Sequence, residues 1–351
     1  MTNYNTWKYE FKTAQDLQAN FFSNEEAELV MLILMVGITP MVSVIGIFGN
    51  FCSILVLSKQ NWKKCSNILL LGLAISDITY LIAFNNVPKI LYTVFGKESF
   101  PYPEIVSYVM FILLEISQII DYSSGLTSLT LPMLITTERL ITVFQPLQAS
   151  TIITPLRTFL AVSGVFIFWY VNFTYTAFWY GLSDNFDKFR NRTVFVIVRS
   201  DLYEHDKTVM TLLEDYWTYA SLRIPPLFTF IGCVVIGIKI KMASLQRIKL
   251  TGRKVTGGMN RTTKTLLAVC GMYTITCVIM LLPYFMPQYA SYSVSEEASS
   301  NVRQITYQII NIVLCINSSC NFVIYIVFNK NFRDAYKALF IKDYKKKAIR
   351  H

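Results

Sequence analysis

Asp121 and Arg139 stand 18 residues apart in one long, mostly apolar stretch, a separation of five whole helical turns. On a helix they share a face, about 27 Å apart along the axis, so that one looks toward each end. Ser124 and Ser128 continue the stripe between them, and Pro132 predicts a kink. Asp121 can pair with a cation. Arg139, beside Glu138, is a charge that a neighbouring acid can hold and release. Other polar residues sit among apolar neighbours: Asn50, Asp77, Asn317, Ser318 and Asn321. Each is costly to bury unless it faces a partner or water. An oxygen-rich set of this kind suits a hard cation, or serves as interhelical hydrogen bonds with no ion.

The elements that must position these residues follow from composition. Of the 351 residues 53% are hydrophobic and 15% charged. Seven stretches, 29–58, 66–91, 105–138, 156–181, 216–240, 265–290 and 304–328, are long enough to cross a hydrocarbon core of about 30 Å at about 1.5 Å per residue. The expected architecture is an all-α membrane protein: a polar N-terminal segment 1–28, a seven-helix bundle 29–328, and a basic tail 329–351. A closed barrel is excluded, because Met31–Leu34, Leu69–Leu73 and Val278–Leu282 are apolar on every face instead of alternating. Residues 1–28 do not read as a cleavable signal, so the first helix is expected to target the chain.

Basic residues set the expected orientation. With the N-terminus outside, the inner loops and tail hold 21 of the 32 Lys and Arg residues, as the positive-inside rule requires. The net charge of +10 then reflects anchoring to anionic lipid, and no nucleic-acid partner is needed. On this topology Asn191-Arg192-Thr193 is the sequon in an outer loop, and Asn191 is expected to carry glycan. The seven cysteines fall in helices or at an inner edge and read as small packing residues. With two histidines and no metal-ligand spacing, the chain reads as no enzyme, with no cofactor unless the oxygen-rich set holds a hard cation. A secondary transporter would show paired inverted repeats, and none is visible.

Glu138-Arg139 with Pro146-Leu147 seven residues on, Gly49-Asn50, Leu73-Ala74-Ile75-Ser76-Asp77 and Asn321-Phe322-Val323-Ile324-Tyr325 together resemble the rhodopsin-like G-protein-coupled receptors. The string from Ile152 to Thr158 and the run Asn317–Tyr325 look like invertebrate orphan receptors of the chemosensory and neuropeptide type. The resemblance implies a plasma-membrane receptor. An extracellular peptide or small ligand would enter an outer chamber lined by Asp121, Tyr284, Phe285, Gln288 and Asn311, and a heterotrimeric G protein would meet Glu138, Arg139 and Tyr325. It further implies sodium at Asp77, Ser128, Asn317 and Ser318, and a short eighth helix with Arg333 and Lys337 toward the head groups. Asp121 coincides with the carboxylate that amine receptors use, which leaves an amine ligand as an alternative.

The chain also departs from that family. Leu114 stands where helix three usually carries a disulfide cysteine, Leu281 where helix six carries a tryptophan, and Phe322 where helix seven carries a proline. Loop 182–215 must therefore be held by contacts other than a disulfide, or move. Residues 304–329 hold no lysine for a retinal Schiff base, which excludes an opsin. Thr263 and Thr265 stand where helix six often carries the acid that locks the arginine.

Overall fold

A capping box opens the first helix in this computed structural model, which describes residues 22–59, 64–96, 99–187, 191–251, 258–286, 289 and 301–340. The Ser23 hydroxyl accepts from the Glu26 amide while the Glu26 carboxylate accepts from the Ser23 amide at 2.9 Å. Two free amide donors are satisfied, so the helix starts at Asn24, earlier than the apolar run alone suggests. The long helices are α1 (Asn24–Ser58), α2 (Cys65–Phe95), α3 (Glu104–Phe144), α4 (Pro155–Trp179), α5 (Lys207–Gln246, running on to Thr251), α6 (Gly258–Met280) and α7 (Asn301–Phe328), followed by α8 (Lys330–Phe340). Among the described residues six of these are long and apolar enough to cross a membrane, and α6 contributes a shorter apolar segment, Gly271–Met280.

Three irregularities matter for function. In α2 the regular helix stops at Phe84; Asn85 leaves helical geometry and Asn86 caps a new turn, accepting from the Lys89 amide at 3.2 Å. Pro88 suits that restart, since its missing N–H falls in a first turn where it has no helical partner. In α5 a π-helical turn, Tyr219–Arg223, precedes Pro225-Pro226, whose missing donors disturb the hydrogen-bond ladder. α6 ends at Met280, and a separate turn, Leu282–Phe285, follows a break at Leu281, two residues before Pro283.

Close approach is made possible by glycine. A Cβ on Gly46 of α1 would lie 2.1 Å from Ser319 Oγ of α7 and 2.6 Å from Leu81 of α2. Small residues let backbones meet where lipid supplies no hydrophobic drive between helices. Tyr80, Leu81, Phe84, Leu129, Tyr273, Leu314 and Cys315 form the central core, and the Tyr273 hydroxyl donates to the Leu129 carbonyl.

Beyond α4 the sequence reading expected a loop, whereas the chain forms an antiparallel hairpin, β1 (Tyr180–Asp187) with β2 (Arg192–Arg199). β-branched Thr193, Val194, Val196, Ile197 and Val198 favour the extended strand. Phe100, fully buried, pairs with Phe195 through two backbone hydrogen bonds of 2.7 and 3.0 Å, which ties the hairpin to the segment before α3. The result is a hairpin end and an opposite end of the bundle.

Candidate functional site

Asp77 is fully buried midway along α2 and is reached from two other helices. Ser128 Oγ of α3 donates to its Oδ1 at 2.6 Å, and Asn321 Nδ2 of α7 donates to its Oδ2 at 2.8 Å. Ser318 of α7 interacts with the same carboxylate without regular hydrogen-bond geometry, and its hydroxyl is buried and otherwise unpaired. Asn50 of α1 donates to the Ser318 carbonyl at 2.8 Å, leaving its own Oδ1 buried without a donor. Asn317 is buried on the same helix. Three helices thus meet at one carboxylate, and α1 joins them through Asn50 and the Ser318 carbonyl. The orphaned oxygens of Asn50 and Ser318 add acceptors to that charge, a donor set that fits a sodium ion. No cluster of His, Cys, Asp or Glu capable of holding a transition metal occurs among the described residues.

Toward the hairpin end, Asp121 of α3 is 7% exposed and accepts no hydrogen bond from a described residue. Aromatic groups gather around it. The Tyr122 hydroxyl meets the Tyr307 hydroxyl of α7 at 3.4 Å, Tyr122 stacks on Phe173 of α4 at 5.4 Å, and Phe173 packs on Trp217 of α5 at 4.8 Å. The Tyr80 hydroxyl of α2 approaches Cys315 Sγ at 3.6 Å and donates to the Asn311 carbonyl at 3.4 Å. Asn311 is half-buried beside this group. Phe285 is not. It lies 75% exposed at the end of the turn Leu282–Phe285 that follows the break at Leu281. Gln288 and the side chain of Tyr284 lie outside the described residues.

Lys89 was missed. In the second span the sequence analysis singled out Asp77 and left Lys89 aside, yet the restart at Asn86 directs Lys89 into the bundle, with its Nζ 5.0 Å from the Phe84 ring centroid and 5.7 Å from that of Tyr307. The signal was available: a lysine within an apolar run, behind an Asn-Asn break.

At the opposite end Arg139 Nε and Glu138 Oε2 are 3.1 Å apart, with side chains 33% and 11% exposed. The helix continues past them to Phe144, so both lie inside α3 and not at its end. Tyr325 of α7 is buried and its hydroxyl unpaired; its ring lies 5.6 Å from Phe332 of α8. Phe322 fills the space over Gly49 and packs edge-on against Phe332 and Tyr336, at 6.2 and 5.7 Å. Arg333 does not reach outward toward head groups. Its Nη1 donates to the Ile326 and Val327 carbonyls, both at 3.1 Å, and so caps the end of α7, where carbonyls lack helical partners.

The segment without the usual disulfide is held by Asp206. Its Oδ2 accepts from the Tyr175 hydroxyl at 2.6 Å and from Trp179 Nε1 at 3.2 Å, and its Oδ1 lies 3.0 Å from His205 Nδ1. The Tyr175 bond, then the His205 contact, hold the Asp206 carboxyl below its ordinary range. Among the described residues five cysteines are free, but Cys233 of α5 is disulfide-bonded, which corrects its reading as a packing residue. Asn191 occupies the hairpin turn, exposed and with φ 49°, a left-handed conformation that asparagine tolerates.

Seven helices around an intramembrane carboxylate, with an acid-Arg pair at one end, agree with the pattern of one protein family. The family described as serpentine type 7TM GPCR chemoreceptor Srw matches residues 37–343. The chain belongs to that family. It is a multi-pass membrane receptor of the G-protein-coupled type, of all-α bundle architecture, and not an enzyme. The FMRFamide receptor of Drosophila melanogaster is 25% identical over 341 residues. That alignment takes in 94% of this receptor and 57% of the relative, so the receptor spans little more than half the length of the curated relative it matches.

Proposed function

We propose that this receptor stands in the plasma membrane with its hairpin end outside, binds a short basic peptide there, and relays the event to a heterotrimeric G protein at the opposite end. The observation that carries this reading is Asp121: a buried carboxylate with no hydrogen-bond donor among the described residues, with Tyr80 and Tyr122 beside it and Lys89 in electrostatic reach but not ion-paired. A desolvated anion beside aromatic faces favours an arginine or ammonium group, through charge and through cation–π attraction. The ligand printed in the name of the fly relative makes FMRFamide the first peptide to try.

A small chemosensory ligand is the second reading, favoured by the family description. An amine using Asp121 would belong here, although Cys315 sits on the facing helix where amine receptors place a tyrosine. The ligand binds one packing of α5, α6 and α7 better than another, and that difference in affinity shifts the population. Asp77, Ser128, Asn317 and Ser318 would hold sodium, whose charge would favour the resting packing. The Glu138–Arg139 pair would open toward the G protein.

The test is ligand-stimulated nucleotide exchange in membranes holding receptor and G protein. Asp121→Asn should weaken a cationic agonist by about tenfold or more, since truncating one side of a desolvated charge pair costs roughly 2–5 kcal/mol. Unchanged potency would remove Asp121 from the ligand site. Substrate flux into liposomes without nucleotide exchange would favour a transporter instead.

A further inference from the structure

Cys233 of α5 is buried, 3% exposed, and disulfide-bonded. Of the seven cysteines, Cys52, Cys65, Cys277, Cys315 and Cys320 are free thiols. That leaves Cys270 of α6, whose side chain lies outside the described residues, as the one cysteine available to Cys233. Its place along the helix suits the pairing. Thr229, Cys233 and Ile236 stand at i, i+4 and i+7 on α5, all buried, and α5 packs against α6. By helical period Cys270 shares a face of α6 with Tyr273 and Cys277, at i+3 and i+7, both buried in the central core. The adjacent glycine fixes the depth. A Cβ on Gly232 would lie 2.4 Å from Thr136 Cγ2 and 3.4 Å from Leu140 Cδ1 of α3, so this level of α5 is seated on α3 beside Arg139.

We propose that a disulfide between Cys233 and Cys270 ties α5 to α6 at the Arg139 end and is a redox-sensitive lock on the resting packing. A disulfide keeps its two Cα atoms within about 7 Å, so α6 cannot part from α5 at this level while the bond stands. Because α5 is itself seated on α3, any opening beside Arg139 has to carry both helices as one unit. The bond forms when two thiols give up two protons and two electrons to an oxidant of the peroxide or disulfide class. A small dithiol reverses it by exchange, leaving two thiols on the receptor and one cyclic disulfide in solution. Burial restricts that exchange to small reagents able to enter the bundle. The lock rests on the reading in which α5, α6 and α7 repack on activation, but the bond itself is tested apart from signalling.

The bond is read first. Full-length receptor is denatured without reductant, alkylated and mapped by mass spectrometry; alkylation of the five free cysteines and a linked pair of Cys233 and Cys270 peptides are expected. Alkylation of Cys233 or Cys270, or a link from Cys233 to another cysteine, overturns the proposal. Amide hydrogen exchange in the parts of α5 and α6 nearest Arg139 then reads the lock without a G protein. It should quicken when folded receptor is treated with dithiothreitol, and equally in Cys233→Ser and Cys270→Ser, which reduction should not quicken further. Cys52→Ser, at a buried free thiol of α1, should behave as the wild type does. Basal nucleotide exchange should rise by about fivefold on reduction, the low end of what an effector does to a coupled equilibrium. Should the serine variants not fold, the wild type before and after reduction decides. Unchanged hydrogen exchange, or unchanged basal signalling in a receptor that still answers agonist, overturns the lock. If agonist and reduction both leave nucleotide exchange at zero while hydrogen exchange quickens, the receptor reading fails and the tie between α5 and α6 stands.

Discussion

Ser128 on α3 donates a 2.6 Å hydrogen bond to Asp77 on α2, and the other oxygen of the same carboxylate is taken by Asn321 on α7. One buried charge therefore couples three helices whose relative packing a receptor has to change. An ion that prefers one packing shifts the balance by its difference in affinity. Sodium should lower agonist affinity in the wild type, and Asp77→Asn should abolish that dependence while the receptor still reaches the membrane. Agonist titrations in sodium and in a large organic cation check this; equal curves for the wild type would leave the cluster as hydrogen-bonded glue.

Arg139 gives a second expectation. Its partner Glu138 is the adjacent residue, and the pair is partly solvent-exposed, so its contribution is modest, on the scale of about 0–1 kcal/mol for such pairs. Thr263 and Thr265, where an additional acid could stand, have side chains outside the described residues. Measurable signalling without agonist is expected, together with loss of signalling but normal agonist binding in Arg139→Ala. A well-expressed Arg139→Ala that couples fully would sink this assignment.

Asp206 makes the hairpin end sensitive to acid. Its carboxyl is held below its ordinary range in the folded chain, so the stabilisation is present above the unfolded value and is lost as pH falls through the folded one. The clasp should hold at neutral pH and release only under acid conditions. Trp179, which donates to Asp206, is the reporter: the difference in tryptophan fluorescence between wild type and Asp206→Asn should vanish at low pH. A difference that persists through that range would show that Asp206 does not hold the hairpin.

Asn191 offers a test of orientation. It is exposed at a hairpin turn, while Asn172 lies within α4, donating to the Phe168 carbonyl and accepting from Trp217. Receptor made in a glycosylating host should shift in mobility on glycosidase treatment, and Asn191→Gln should not. A shift that survives the substitution would argue against placing the hairpin outside.

The amino-acid sequence by itself determined the spans and the polar cluster within them. Both rest on spacing along one helix: apolar length gives the crossings, and 3.6 residues per turn puts Asp121, Ser128 and Arg139 on one stripe. Asn50, Asp77, Ser128 and Asn321 were legible together because a lipid-embedded polar group needs a partner, and such groups are few. What only the tertiary structure decided lies across helices or beyond them. Lys89 turns inward because the chain breaks at Asn85 and restarts at Asn86. Phe285 lies exposed on the separate turn that follows the break at Leu281, and Arg333 turns back because the carbonyls ending α7 lack donors. The hairpin and its Asp206 clasp join residues far apart in the chain through side chains whose direction no helical period fixes. Periodicity is local and survives in one dimension, whereas the rotation of one helix against another is set by packing, which exists only once the bundle has formed.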